Sequence, residues 1–151
     1  MSLNDWLAAA AQQREQDGLV RSLKPRDIDS DMLDLAGNDY LGLVRDVRVT
    51  TAASSAAAAW GAGAGASRLV TGTLAVHSEL EAALSALTGQ PAALVHSTGY
   101  HANLSAVTAL TDADTLLISD AHIHASLVDA CRLSRGTVQV VPHNDVDAVE
   151  Q

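Results

Sequence analysis

From Val76 to Asp145 the apolar pattern of the chain switches back and forth between the period of a helix and that of a strand, and this leaves few folds open. Val76, Leu80, Ala83, Leu84 and Leu87 mark an amphipathic helix, with Glu79 and Glu81 near its start and Gly89 after its end. Ala92 to His96 then reads as a strand, Tyr100 to Leu110 as a helix, and Thr115 to Ser119 as a second strand. Ser126 to Ser134 follows as a helix closed by Gly136, Val138 to Val141 as a strand, and His143-Asn-Asp145 opens a last helix. Four such alternations predict an α/β protein, a three-layer doubly wound sheet of parallel type.

In a sheet of this kind the loops leaving the strand ends gather on one edge, where sites are built. Two corners stand out. The first, His96-Ser-Thr-Gly-Tyr-His-Ala-Asn103, runs from a strand end through small residues into a helix. There Gly99 lets backbone come close to a ligand, and the first amides of the helix from about Tyr100 point free N–H groups at it, an arrangement suited to a phosphate. The second corner, Ser119-Asp-Ala-His-Ile-His-Ala-Ser-Leu127, places His124 just past an apolar run, where its flat ring reaches over the same cavity. A phosphate cradle and an aromatic lid together suggest a phosphorylated, planar cofactor.

The rest of the chain is less regular. Leu3, Trp6, Leu7 and Ala10 recur at helical spacing, with Asn4 as the expected N-cap and Gly18 as the stop. Arg21, Lys24 and Arg26 surround Pro25 in an irregular arm, either as a solvated basic loop or with one arginine paired to a substrate carboxylate. Met32 to Ala36 alternates as a short strand, broken by Gly37, Asn38 and Asp39, whose side chains read as turn chemistry or as part of a site. Thr50 to Trp60 is almost all Ala and Ser and predicts a helix with a small face. Gly61, Gly63 and Gly65 then alternate with alanine, as a hinge or as backbone left bare for a ligand or another subunit. A dinucleotide fingerprint is a weak match, because an Ala-rich helix stands where that motif needs a strand.

Composition removes several classes of function. Eighteen acidic against nine basic residues give a net charge of -9 with no basic cluster, which argues against nucleic acid. No apolar run reaches the length of a membrane span, and no secretory signal is visible. The single cysteine, Cys131, allows no internal disulfide and fits a reducing cytoplasm. Asp120-x-His122-x-His124 has the residue types of a metal site, but a third ligand for a catalytic zinc is not apparent, so no metal is expected. Ser97-Thr-Gly99 is not a nucleophile elbow. His77, His96 and His101 read as ordinary surface or core residues, and Cys131 as a buried inert thiol.

Taken in order, Asn38-Asp-Tyr-Leu-Gly-Leu43, Gly61-x-Gly-x-Gly-Ala-Ser-Arg68, Val70-Thr-Gly72, His77-x-x-Leu-Glu81, Ser97-Thr-Gly-Tyr-x-Ala-Asn103, Asp120-x-x-x-His-Ala-Ser-Leu127 and His143-Asn-Asp145 resemble the α-oxoamine synthases. These are pyridoxal-phosphate enzymes of fold type I. The resemblance implies residues 1–45 as an N-terminal arm and small-domain segment, and 46–151 as the first, incomplete part of the cofactor-binding large domain. By the same resemblance Gly99 and Tyr100 hold the cofactor, and His124 stacks on its ring and helps orient the substrate. Arg21 and Asn38 contact the amino acid, and Ser67 lies in a loop reaching toward the partner's active site in a cytoplasmic homodimer. Ala66 departs from the glycine many relatives have in that loop. The implied reaction joins L-alanine to a pimeloyl thioester, on coenzyme A or a carrier protein, with loss of carbon dioxide. A glycine-using member, or a noncatalytic fragment, are the alternatives. The lysine that carries the cofactor and the aspartate that pairs with its ring nitrogen lie in no matching motif. Lys24, the only lysine, is in the wrong place, so the 151 residues alone are expected to be inactive.

Overall fold

A computed structural model describes all residues, 1–151. The chain divides into two compact units, Met1–Ala52 and Ala53–Gln151. In order, its elements are α1 (Leu3–Gln16), α2 (Val47–Trp60), α3 (Ala75–Thr88), α4 (Gly99–Leu110), β1 (Leu116–Asp120), α5 (Ala125–Leu133), β2 (Thr137–Val141) and α6 (Val146–Glu150). None of these helices is long and apolar enough to cross a membrane.

In the first unit, α1 begins two residues earlier than a cap at Asn4 would place it. Ser2, not Asn4, is the N-cap: its Oγ accepts from the Asp5 amide at 3.2 Å while the Asp5 carboxylate accepts from the Ser2 amide at 2.8 Å. Asn4 lacks that reciprocal partner three residues on. Gly18, at φ +66°, ends the helix as expected. Met32–Ala36 is not a strand. Asp34 inside it instead bonds the Ala36 amide and Arg26, which folds the segment into a bend. Asp39 accepts from the Leu43 and Val44 amides, so the turn reading of that residue holds.

The second unit is helix-rich α/β. β1 and β2 pair in parallel from Leu116 opposite Thr137 to Asp120 opposite Val141, and α5 is the crossover between them. α4 packs along α5. The core sits where these elements meet: Ala130 and Ser126 are fully buried, with Val141 and Ser119 nearly so. Aliphatic residues stand on both faces of the strands, Leu116, Ile118 and Val141 on one and Leu117, Val138 and Val140 on the other, and Leu116, Ile118 and Val140 remain about half exposed.

Ala92–His96 does not form the strand its composition predicts. A strand exists only through ladder bonds, and Val95 gives both of its backbone groups to side chains. Its N–H donates to Glu81 Oε1 at 2.9 Å, and its carbonyl accepts from Arg68 Nη1 at 3.4 Å. The sheet therefore has two strands.

Candidate functional site

The first corner is assembled from three sequence words. On α3, His77 and Glu81 lie four residues apart and share a face. His77 Nδ1 accepts from the Leu74 amide at 3.0 Å and so caps the helix start. One turn on, Glu81 takes Arg68 in a two-armed pair, at 2.5 and 3.1 Å. That pair and the Val95 amide hold the Glu81 carboxyl down to about 2. Arg68 is in turn fixed by a tight loop. Ser67 carbonyl accepts from the Val70 and Gly72 amides, and a Cβ on buried Gly72 would lie 1.9 Å from the Ala66 carbonyl oxygen. Only glycine fits there. Gly61 and Gly65 adopt positive φ with open space around them, so their freedom serves the backbone turn and not a close contact.

The clamped Val95 leads into Ser97-Thr-Gly99. Thr98 is the N-cap of α4, its Oγ1 accepting from the His101 amide at 3.1 Å. The Ala102 amide bonds the Thr98 carbonyl, which leaves the Gly99 and Tyr100 amides without an acceptor in the chain. Nothing lies within 4 Å of where a Gly99 Cβ would stand. Two unpaired donors at the positive end of a twelve-residue helix, beside open space, form a surface that favours an anion.

The second corner follows β1. Asp120 accepts from the His122 amide at 2.7 Å, from the Asn144 amide at 2.9 Å and from His143 Nδ1 at 2.9 Å. These bonds tie the ends of β1 and β2 together and hold the Asp120 carboxyl down to about 2. The His122 ring stacks on His143, centroids 4.7 Å apart. His124 is the N-cap of α5, with Nδ1 2.6 Å from Ser126 Oγ and accepting from the Ser126 amide at 3.2 Å.

Two side-chain bridges join α4 to α5. Tyr100 hydroxyl donates to Asp129 Oδ2 at 2.6 Å, and Asn103 Nδ2 donates to Ser126 Oγ at 2.8 Å. The neighbouring Asp129 carboxylate pushes the Tyr100 phenol above its usual range, and the Tyr100 hydroxyl holds Asp129 below its own. Gly99 and Tyr100 thus begin α4 and His124 caps α5, on two helices that pack together, the Tyr100 end of α4 reaching the middle of α5 and the Ser126 end of α5 reaching the middle of α4. Ser67 belongs to the same unit, its exposed side chain unbonded and its carbonyl closing the Arg68 loop. Arg21 and Asn38 lie in the Met1–Ala52 unit. There Asn38 accepts from the Tyr40 hydroxyl and lines a cleft with Arg26, Asp34 and Arg45, which Arg21 does not border.

The Asp120, His122 and His124 side chains do not converge as metal ligands. Asp120 is taken up by backbone amides and His143, His124 turns to Ser126, and no three His, Cys, Asp or Glu side chains gather to hold an ion. Sequence spacing gave no role to Asn103, Ser126 or Asp129. The first two stand inside the motif words, which was the available signal; the Tyr100–Asp129 bond joins residues 29 apart and has no local signature.

The family model for class I and II aminotransferases matches residues 30–151. The chain belongs to that family. Among curated aminotransferase-family relatives, it is 54% identical over 144 residues to 8-amino-7-oxononanoate synthase of Mycolicibacterium gilvum, covering 95% of this chain and 38% of that protein. The chain therefore spans little more than a third of the length of that curated relative. Among solved structures, serine palmitoyltransferase of Sphingomonas wittichii matches with a TM-score of 0.71 at 35% identity, over 74% of this chain and 28% of that one. Serine palmitoyltransferase of S. paucimobilis, solved with PLP and myriocin, matches at 0.77 and 29% identity over 97% of this chain and 41% of that one. The fold is that of the fold type I pyridoxal-phosphate transferases, as the resemblance to the α-oxoamine synthases implied.

Proposed function

We propose that this chain supplies the phosphate-holding corner and the ring-stacking histidine of a pyridoxal-phosphate acyltransferase that makes 8-amino-7-oxononanoate from L-alanine and a pimeloyl thioester, in biotin synthesis. The observation that carries this reading is the 54% identity to a protein of that name over 95% of the chain. The geometry is compatible with it. The unpaired Gly99 and Tyr100 amides and the open space beside Gly99 suit a phosphate monoester, and the bridges between α4 and α5 keep the helix that His124 caps packed against the one that carries those amides.

Pyridoxal phosphate, when bound, supplies an electron sink for charge developing at the amino-acid α-carbon. In this proposal the Gly99 and Tyr100 amides hold its phosphate, and His124 offers the face of its ring and orients the substrate. Arg21, the best candidate in the arm for the family's carboxylate-facing arginine, pairs with the substrate carboxylate, and Asn38, assigned from motif position, contacts the amino acid. Ser67 and its loop face a second subunit of a cytoplasmic homodimer. Lys24 is the only lysine among these 151 residues, and its place in the arm does not suit covalent attachment of the cofactor. Residues 1–151 alone are therefore inactive in this reading.

The test is an assay of the protein containing this chain with pimeloyl-CoA and, in turn, L-alanine, glycine and L-serine. Preference for alanine supports the proposal; preference for glycine or serine replaces it with another α-oxoamine synthase, a reading the 35% likeness to serine palmitoyltransferase keeps in view. Turnover by residues 1–151 alone contradicts the assignment of the covalent lysine outside them.

A further inference from the structure

We propose that Asn103 and Ser126 are positioning residues that fix the His124 imidazole in one neutral tautomer, with Nδ1 unprotonated and the ring proton on Nε2. The argument starts from the one donor in the cluster whose direction is not open to choice. The Ser126 amide points its hydrogen at His124 Nδ1 across 3.2 Å, and a backbone N–H can only donate. Nδ1 is thus an acceptor and carries no proton.

The direction then propagates outward. Ser126 Oγ, 2.6 Å from the same Nδ1, has a single hydrogen and sends it to that nitrogen. Its lone pairs are left to accept, and Asn103 Nδ2 donates to them at 2.8 Å. Ser126 is fully buried, so water does not compete for its hydroxyl. Asn103 comes from α4 and Ser126 from α5, so the orientation of the ring is set by the packing of the two helices that form the corners. Nδ1 makes both bonds recorded for this ring, which leaves Nε2–H as the outward donor. What that donor meets rests on the proposed function; the tautomer itself does not.

An asparagine, and not an aspartate, is required at position 103. A carboxylate there would accept from the Ser126 hydroxyl, turn the oxygen lone pair toward His124 and favour a proton on Nδ1. A purely structural bridge between α4 and α5 has no such dependence on donor direction.

Imidazole 15N shifts of histidine-labelled, cofactor-free protein containing this chain test the proposal, read at a pH where histidines are neutral and assigned with His124→Gln. The expected result is a pyridine-like Nδ1 and a pyrrole-like Nε2 for His124. Ser126→Ala should move the tautomer ratio toward Nδ1–H by about fivefold, the effect of one hydrogen bond of ordinary net strength. Asn103→Asp should move it further in the same direction, while Asn103→Ala should have a smaller effect than either. A pyrrole-like Nδ1 in the parent protein overturns the proposal, and so does a ratio that both Ser126→Ala and Asn103→Asp leave unchanged. Because no cofactor is present, failure here is separate from failure of the functional reading, which equilibrium dialysis against pyridoxal phosphate addresses independently.

Discussion

The two corners of the Ala53–Gln151 unit look alike in sequence and are held in different ways. The segment entering the first, Ala92–His96, is tethered through side chains, with Arg68 and Glu81 on the backbone groups of Val95. The segment entering the second, β1, is held by a backbone ladder to β2 and locked at its end by Asp120. Each anchoring also depends on a glycine where backbones meet: Gly72 against Ala66 in the loop that carries Arg68, and Gly136 against Thr115 at the far end of the β1–β2 ladder from the second corner. The difference teaches that an apolar run before a glycine-rich turn specifies a corner but not how that corner is anchored.

Substituting the glycines breaks the comparison most strongly. Gly72→Ala would bring a Cβ to 1.9 Å from the Ala66 oxygen and should cost about 3 kcal/mol, the upper end of overpacking penalties. Hydrogen exchange should show the Val95 amide released while the β1–β2 ladder keeps its protection. Gly136→Ala meets the Thr115 oxygen at 2.6 Å and should cost about 2 kcal/mol, with the protection loss reversed, in the ladder and not at Val95. Equal losses at both corners would mean that they are one cooperative unit.

The carboxylates sharpen the contrast with a smaller effect. Glu81 is held at about 2 from an ordinary 4.5, first by Arg68 and then by the Val95 amide; Asp120 is held at about 2 from 3.8 by the His122 and Asn144 amides and then by His143. Each lowered value means that the folded chain binds the proton less readily than the unfolded one. Their stabilisation is whole above the ordinary value and lost as pH falls toward 2. Glu81→Gln and Asp120→Asn should each flatten acid denaturation in that window, the former exposing Val95 and the latter the Asn144 amide. A denaturation curve unchanged by both substitutions would remove these carboxylates from the account.

The smallest effect belongs to a single cap. Thr98→Ala should cost about 1 kcal/mol in thermal unfolding and fray the start of α4. A substitution with no effect on α4 would show that the first corner is ordered by Arg68 and Glu81 without the cap.

Sequence reading located β1, α5, β2 and α4 to within a residue or two, because apolar period and Gly punctuation survive in local composition. It failed at Ala92–His96, where two distant side chains compete with a ladder, and at Met32–Ala36, where Asp34 folds the backbone back on itself. At the candidate site, the helix starts at Gly99 and after His124 were legible from the turn and the motif words. The bridges through Asp129 and from Asn103 to Ser126 were not, since they exist only once α4 lies against α5.

The central claim is that the α4 and α5 starts act on one ligand. Titration of the labelled protein containing this chain with pyridoxal phosphate, following the Gly99 and Tyr100 amides together with the His124 ring, tests it most directly. The account predicts that all three signals move along a single binding curve. Movement of the amides without the ring, or of the ring without the amides, would contradict it.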